Sequence, residues 1–578
     1  MAPDPTSNPL TRRHRGISRV RSGCRTCKIR RVKCDEQRPS CAKCVGSGRS
    51  CDGYGIWDQP VAKPRMQTWS VSYPPQSLPG LDQQEKSHLD RFRHLVSGRL
   101  SEPFGSYFWN SLVLQMALSE PAVVHASIAL TSAYELFLSG FGSNAAAAAS
   151  TMPFLLRQYN RAIRALTTKV ESNDSLSLRT AAVSSVLFIC LETLRGDPTA
   201  THTHFRSGVK ILTQLQRIQD RSSVRKELVL VPDDPQIYDD HLATVFSQLN
   251  LQFMMLGNSS QQKETFVSPI YYNRRIHIPP YFRTGDEARR SFTSILVAIT
   301  YLCKEFERNS MTSDIHLPEP STTESERQRA LQTAVQEWIA SYDRSIGSLL
   351  PSASQPQQIG FTMLRIYAHA GTIILGTCLS IKETAYDPYL SDFEAIVRRY
   401  EDLQVQATLP LTSSGRRVCE TNSCFTIDTG FFPPLYFVAL KCRNHAVRRK
   451  ALALLQQYPS MEGPWTGPML ARVAGRVADL EEKDFVKALQ SLSDAGSSPT
   501  LSSDTDDSQP SSTTTGVVLP EFCRIHCVEC KLPSRYNPNP DTAVLTLRRF
   551  RHELGRSGGW IIDTAEVDLS GIRRLGGS

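Results

Sequence analysis

Six cysteines near the start of the chain fall on a single frame: Cys24-x2-Cys27-x6-Cys34-x6-Cys41-x2-Cys44-x6-Cys51. The frame is an internal repeat, because CRTCKIRRVKC and CAKCVGSGRSC share the same C-x2-C-x6-C spacing. Zinc takes four ligands in a tetrahedron, and thiolates suit it. Two separate sites would need eight thiolates. Six suffice if two of them each touch both metals. Each C-x2-C pair can clamp one ion in a tight turn, and each six-residue gap leaves room for about two helical turns. A disulfide framework would require an exported protein. Residues 1–20 carry Arg12, Arg13, Arg15 and Arg19 but no apolar run of a secretory signal, so we expect a reducing compartment, in which thiols bind metal. Two zinc ions are the expected cofactors.

The charge of the chain is concentrated at the same end. Residues 1–52 hold 13 Lys/Arg against 4 Asp/Glu, whereas the other residues are nearly balanced. A localised basic segment points to a polyanion, most simply a phosphate backbone. The two halves of the repeat differ here. Lys28, Arg30, Arg31 and Lys33 lie between Cys27 and Cys34, while Arg49 is the single basic residue between Cys44 and Cys51. The first half is therefore expected to face double-stranded DNA. Its basic side chains also offset the net negative charge of two zinc ions held by six thiolates.

Over Arg21 to Tyr54 the sequence resembles the fungal zinc binuclear cluster (Zn2Cys6) transcription factors, with Pro39 in the loop between the halves as in that family. The resemblance implies that Cys24 and Cys41 bridge the metals, and that Arg30 and Arg31 lie nearest the bases. Arg25, Lys28 and Lys33 are then the better candidates for phosphates. Such modules place a helix in the major groove, where arginine can donate to guanine O6 and N7. The family further implies CGG-like target triplets, a nuclear location and control of metabolic or biosynthetic-cluster genes. The basic run would also serve nuclear import.

The rest of the chain is mostly α by pattern. We expect a disordered basic arm over residues 1–20, the cysteine module over 21–54 and a proline-rich linker over 55–84. A large all-α body follows over 85–492, then a disordered Ser/Thr-rich segment over 493–516 and a small strand-containing element over 517–578. Apolar residues recur at spacings of three and four across Pro121–Leu138, Thr180–Leu194, Thr203–Arg217, Ser291–Arg308, Arg327–Tyr342, Gly360–Ile381 and Leu435–Gln457. Alternation over Ala543–Leu547 and Trp560–Val567 suggests strands. The alanine-rich stretch Ser143–Thr151 is expected as a loop insertion. The longest apolar stretch, Ile366 to Ile381, is too short and polar for a membrane span, so no membrane partner is expected. Three body segments, Phe108–Leu130, Phe188–Asp197 and Pro434–Leu455, resemble a fungal-specific transcription factor domain. That resemblance implies a helical regulatory body that contacts the transcription machinery.

Catalytic patterns are missing: there is no H-E-x-x-H, G-x-S-x-G or P-loop. His125 is expected as a core histidine, and His202 and His204 form an H-x-H without a supporting carboxylate. Cys523, His526, Cys527 and Cys530 fit no zinc spacing, and we expect them to be ordinary thiols. Cys190, Cys303, Cys378 and Cys442 sit on apolar helices as core residues. The chain is therefore expected not to be an enzyme; a DNA-targeted receptor or enzyme with a pocket in the body is the competing reading. The linker's prolines leave no room for a coiled coil, so the protein is either a homodimer through its body or a monomer on one triplet.

Overall fold

A computed structural model describes residues 24, 26–27, 30–37, 40–51, 80–100, 104–139, 145–171, 174–219, 229, 231–232, 235–256, 276–311, 319–408, 425–426, 430–458, 461–494, 519–532, 542–551 and 559–570. The chain divides into two compact units, Met1–Tyr73 and Pro74–Ser578. The expected basic arm, residues 495–516 of the segment expected to be disordered, and most of the expected linker lie outside the described residues, while Ser493 and Asp494 end the helix Gly467–Asp494. Of the linker, the last residues are ordered: a helix begins at Gln83, where Asp82 and Glu85 form a capping box.

The second unit is helical, as its sequence periodicity suggests. Pro121–Leu138, Ser175–Arg195, Pro198–Gln219, Gly285–Met311 and Thr322–Leu349 are long helices covering the expected segments, and Gln355–Thr377 covers Gly360–Ile381 except its last four residues. Their ends follow local chemistry. Pro121 starts its helix at the position where a missing N–H costs nothing, Asp174 accepts from the Ser177 N–H at 2.7 Å, and Gly196 closes its helix in the left-handed conformation at φ 73°. The segment Leu435–Gln457 is two helices, Pro433–Lys441 and His445–Gln457. The break is set by Asn444, which takes an extended conformation and accepts from the Val447 N–H.

Ser143–Thr151 departs from expectation. Ala145 to Thr151 form the first turns of the helix Ala145–Val170, in keeping with alanine's helix propensity. The body is also not wholly α: Phe425–Thr426, Met461–Glu462 and Trp465–Thr466 make a small three-stranded sheet.

Two apolar cores organise this unit. The N-terminal one gathers residues such as Trp109, Leu130, Phe188 and Phe246, and the C-terminal one is built around Trp338, Tyr367, Tyr400 and Trp465. Three helices, Pro121–Leu138, Ser175–Arg195 and Gln355–Thr377, are long and apolar enough to cross a membrane, yet 78%, 89% and 61% of their most apolar 18-residue stretches is buried inside the protein. Their apolarity is accounted for by the cores.

The C-terminal strands form an antiparallel sheet of Cys527–Lys531, Thr542–Arg551 and Gly559–Asp568, with the middle strand pairing both others. One face shares the C-terminal core through Ala543, Leu545, Leu547 and Val567. A buried ionic cluster fastens it. Glu481, fully buried, accepts from Arg443 at 2.8 Å, from Arg448 at 2.6 Å and from the Ile525 N–H at 2.7 Å. The fully buried Arg524 makes a bidentate pair with Asp387 at 2.7 and 2.8 Å.

Candidate metal centre and nucleic-acid interface

The internal sequence repeat is a structural repeat. In the first half the chain is helical at Thr26–Cys27 and ends in a turn: the Val32 N–H donates to the Cys27 carbonyl, with Arg31 left-handed at φ 58°. In the second half the short helix Ala42–Val45 ends the same way. The Arg49 N–H donates to the Cys44 carbonyl, and Gly48 is left-handed at φ 64°. This is the six-to-one bond of a Schellman cap, used twice. Among the described residues between Cys27 and Cys34, Arg30 and Arg31 lie in this turn, and Val32 and Lys33 are in neither helix nor strand, so the second helical turn expected there is not formed.

These turns bring the six sulfurs together. Cys24, Cys27, Cys34, Cys41 and Cys44 are buried and Cys51 is half-buried. Two four-sulfur groups form, Cys24, Cys27, Cys34, Cys41 and Cys24, Cys41, Cys44, Cys51, each with its sulfurs within 4.8 Å of one another. They share Cys24 and Cys41, the pair that the family resemblance implies as bridging. The Cys24–Cys41 and Cys27–Cys41 sulfurs are 3.6 Å apart, and Cys24–Cys44 are 3.7 Å apart. Four thiolates around zinc at about 2.3 Å stand roughly 3.8 Å from one another, so the donor set fits the ion. Backbone N–H groups point at the sulfurs: Cys27 donates to Cys24, Cys24 to Cys34 and Cys44 to Cys41, at 3.3 to 3.4 Å. Burial pushes the Cys24 and Cys27 thiols up and Cys41 to about 12. Ionising such a cage calls for cations of high charge inside it, which two divalent ions supply.

The basic residues divide by role. Arg31 and Lys33 are exposed, as is Val32 between them. Arg30 instead reaches the other half of the repeat, donating to Ser47 Oγ at 2.8 Å and to the Lys43 carbonyl at 3.4 Å. Thr26 makes a second tie, from Oγ1 to the Ser50 carbonyl at 3.2 Å. Arg25, Lys28 and Pro39 lie outside the described residues. Sequence reasoning missed Asp35. Its two carboxylate oxygens accept from the Ala42 and Lys43 N–H groups at 2.9 and 3.2 Å, capping the second helix from seven residues upstream. Those bonds, that from Ala42 foremost, hold the Asp35 carboxyl below the usual range. An acid just before the inter-half loop was the available signal.

Among the described residues, the groups of side chains able to hold a metal ion are the two cysteine sets alone. Cys523, His526, Cys527 and Cys530 do not converge on one point, and His526 instead meets Glu521 at 3.1 Å. His125 bonds Gln158 at 2.7 Å and His204 bonds Tyr159 at 2.9 Å, both within the body. Cys190 and Cys442 are buried, while Cys303 and Cys378 are only half-buried.

Residues 22–59 match the Fungal Zn(2)-Cys(6) binuclear cluster domain. The head is a zinc binuclear cluster domain. Beyond it, the chain is similar to the aspercryptin biosynthesis cluster-specific transcription regulator atnN of Emericella nidulans, 25% identical over 80% of this chain and 88% of that protein. It is 28% identical to the transcription regulator lscL of Purpureocillium lilacinum, over 32% of this chain and 47% of that protein. Adhesion and hyphal regulator 1 of Candida albicans is 59% identical over 34 residues, 6% of this chain and 5% of its own. No solved structure matches the chain. With a zinc-cluster head, one relative named as a transcription regulator along most of the chain and others along parts of it, the protein is a sequence-specific DNA-binding transcription factor whose cofactor is a binuclear zinc cluster.

Proposed function

We propose that the zinc-cluster head holds two zinc ions through Cys24, Cys27, Cys34, Cys41, Cys44 and Cys51, with Cys24 and Cys41 bridging, and reads CGG-like triplets in the major groove. The observation that carries this reading is the pair of sulfur groups sharing Cys24 and Cys41, set beside a helix end that exposes Arg31 and Lys33. In it, Arg31 donates to guanine, and Lys33, Arg25 and Lys28 meet phosphates. Arg30 stays near the bases while tying the two halves together. The protein acts in the nucleus, without catalysis, and its helical body contacts the transcription machinery, as a monomer or a homodimer. The relative named for control of the aspercryptin biosynthesis cluster supports a biosynthetic gene cluster as the target.

Competition binding of the full chain to a CGG duplex, against the same duplex with the triplet permuted, tests the reading at fixed salt. A preference for CGG of roughly 1–3 kcal/mol per disrupted base pair is expected, while Lys33→Ala weakens both duplexes alike and flattens the salt dependence. Equal binding to both duplexes would remove the base-reading assignment.

A further inference from the structure

A carboxyl group lies buried where the two apolar cores of the body meet. Met461–Glu462 is the middle strand of the small sheet, with Thr426 opposite Glu462 on one side and Trp465 on the other. Phe425 and Met461 belong to the N-terminal core, while Trp465, Phe432 and Tyr400 belong to the C-terminal one. Glu462 is 1% exposed and accepts from two successive N–H groups, those of Phe431 and of Phe432, the latter at 2.9 Å. Both amides immediately precede the helix Pro433–Lys441 of the C-terminal core. Gly430, left-handed at φ 84°, brings the loop close against the carboxyl: a β-carbon there would stand 2.6 Å from Glu462 Oε2.

No cation answers this group. Among the described residues, no lysine, arginine or histidine forms an ion pair with Glu462. The titratable groups that the described elements pack about the loop are phenols. Tyr367, from the helix Gln355–Thr377, donates to the Gly430 carbonyl at 3.1 Å, and Tyr400, from Leu390–Thr408, donates to the Phe431 carbonyl. Tyr458 follows the helix His445–Gln457, its ring 4.7 Å from that of Phe431. Thr426 and Trp465 bring no charge from the sheet. The Tyr458 hydroxyl and Trp465 Nε1 are buried without a hydrogen-bond partner, so neither supports the carboxyl. Burial pushes Tyr400 and Tyr458 up, so both stay neutral where a carboxyl titrates. Burial likewise pushes the Glu462 carboxyl up to about 7, against the Phe432 and Phe431 N–H groups, which lower it.

We propose that Glu462 is a proton-sensitive joint between the two cores: protonated, it lets the loop at 430–432 close over it, and ionised, it loosens that closure. A carboxyl raised on folding keeps its proton in the folded state where the unfolded chain has lost it. The stability it contributes is therefore full below the ordinary carboxylate range and is lost as pH rises from there to about 7. Glu481 and Glu521, both depressed, act in the opposite sense and at lower pH. Glu462 shares a strand with Met461 of one core and holds the amides that lead into a helix of the other, so its ionisation frees one core from the other. The inference concerns the body alone and stands or falls apart from the DNA-reading assignment.

The test is hydrogen exchange of the full zinc-loaded chain between about pH 5 and pH 8, corrected for the intrinsic pH dependence of amide exchange and read by mass spectrometry on peptides spanning Phe431 and Phe432. Their protection is expected to fall by up to about tenfold per pH unit as pH rises to about 7, and by more than that of the helix Thr322–Leu349. Glu462→Gln, which cannot ionise, is expected to remove that dependence. His88 and His204, whose titration burial and Glu135 also shift, are common to both chains and cancel in the comparison. If Glu462→Gln fails to fold, the profile of the native chain decides alone. Protection at Phe431 and Phe432 that is flat with pH, or that falls as far in Glu462→Gln as in the native chain, overturns the proposal.

Discussion

Arg31 adopts a backbone conformation that its counterpart seventeen residues later, Gly48, meets without a side chain. A β-carbon in that region costs roughly 1–2 kcal/mol, and a short repeat that could place glycine there in both halves places an exposed arginine in one. The expected outcome of Arg31→Gly is therefore two-sided. Zinc retention and thermal stability hold or rise by up to about 1 kcal/mol, while affinity for a CGG duplex falls by about 1–3 kcal/mol. Melting curves and competition binding at one salt concentration check the two halves of that statement, and unchanged affinity would mean that Arg31 reads nothing. Spacing alone marked the six cysteines and the basic run, because ligand geometry is local and leaves a fixed imprint on the chain. It did not distinguish Arg30 from Arg31. The bond from Arg30 to Ser47 joins two turns separated by the fold, and no periodicity records such a partner.

At the scale of elements, long helices with a continuous apolar face were legible, and Pro121–Leu138 matches the expected bounds residue for residue. Others went unmarked. Tyr238–Met255 and Leu390–Thr408 have polar starts that mask the period, Gly467–Asp494 opens on a Gly-Pro pair and runs out into a long polar end, and the alanine run carries little apolar contrast. Close helix approaches were likewise invisible. A β-carbon at Gly208 would stand 2.3 Å from the Phe246 ring and 3.2 Å from Ser185, so the helix Pro198–Gln219 meets its neighbours through the absence of a side chain. Gly208→Ala is expected to destabilise the body by about 1–3 kcal/mol, read from denaturant midpoints at constant slope. Gly208→Ala combined with Phe246→Leu should recover part of the loss, as the smaller side chain makes room for the methyl group.

Across the whole molecule, strand alternation indicated a C-terminal sheet but not what holds it, because the fastening groups are far apart in sequence. Burial alone would push the Glu481 carboxyl up; Arg443 and Arg448 more than reverse this and hold it at about 2. Glu521 is also held at about 2: burial pushes it up, and His526 with the Glu383 and Thr384 N–H groups pulls it down. Both carboxyls are depressed in the folded state. The stability they contribute is thus present above the ordinary carboxylate range and is lost as pH falls from there towards about 2. Glu481→Gln leaves two buried guanidinium groups facing a neutral amide and is expected to cost about 3–5 kcal/mol, with a shallower loss of stability in acid. An acid titration of the melting temperature as steep in the variant as in the native chain would show that the cluster does not fasten the sheet.

The most direct test at this scale concerns the zinc-dependent reading of DNA itself. Binding of the full-length chain to a CGG duplex is measured as purified, after zinc is stripped by a chelator and confirmed gone by elemental analysis, and after zinc is restored. Cys41→Ser, which removes a sulfur common to both four-sulfur groups, is carried through the same steps. Binding should vanish with the metal, return with zinc in the native chain and stay absent in the variant. Undiminished binding by the metal-free chain would contradict the account.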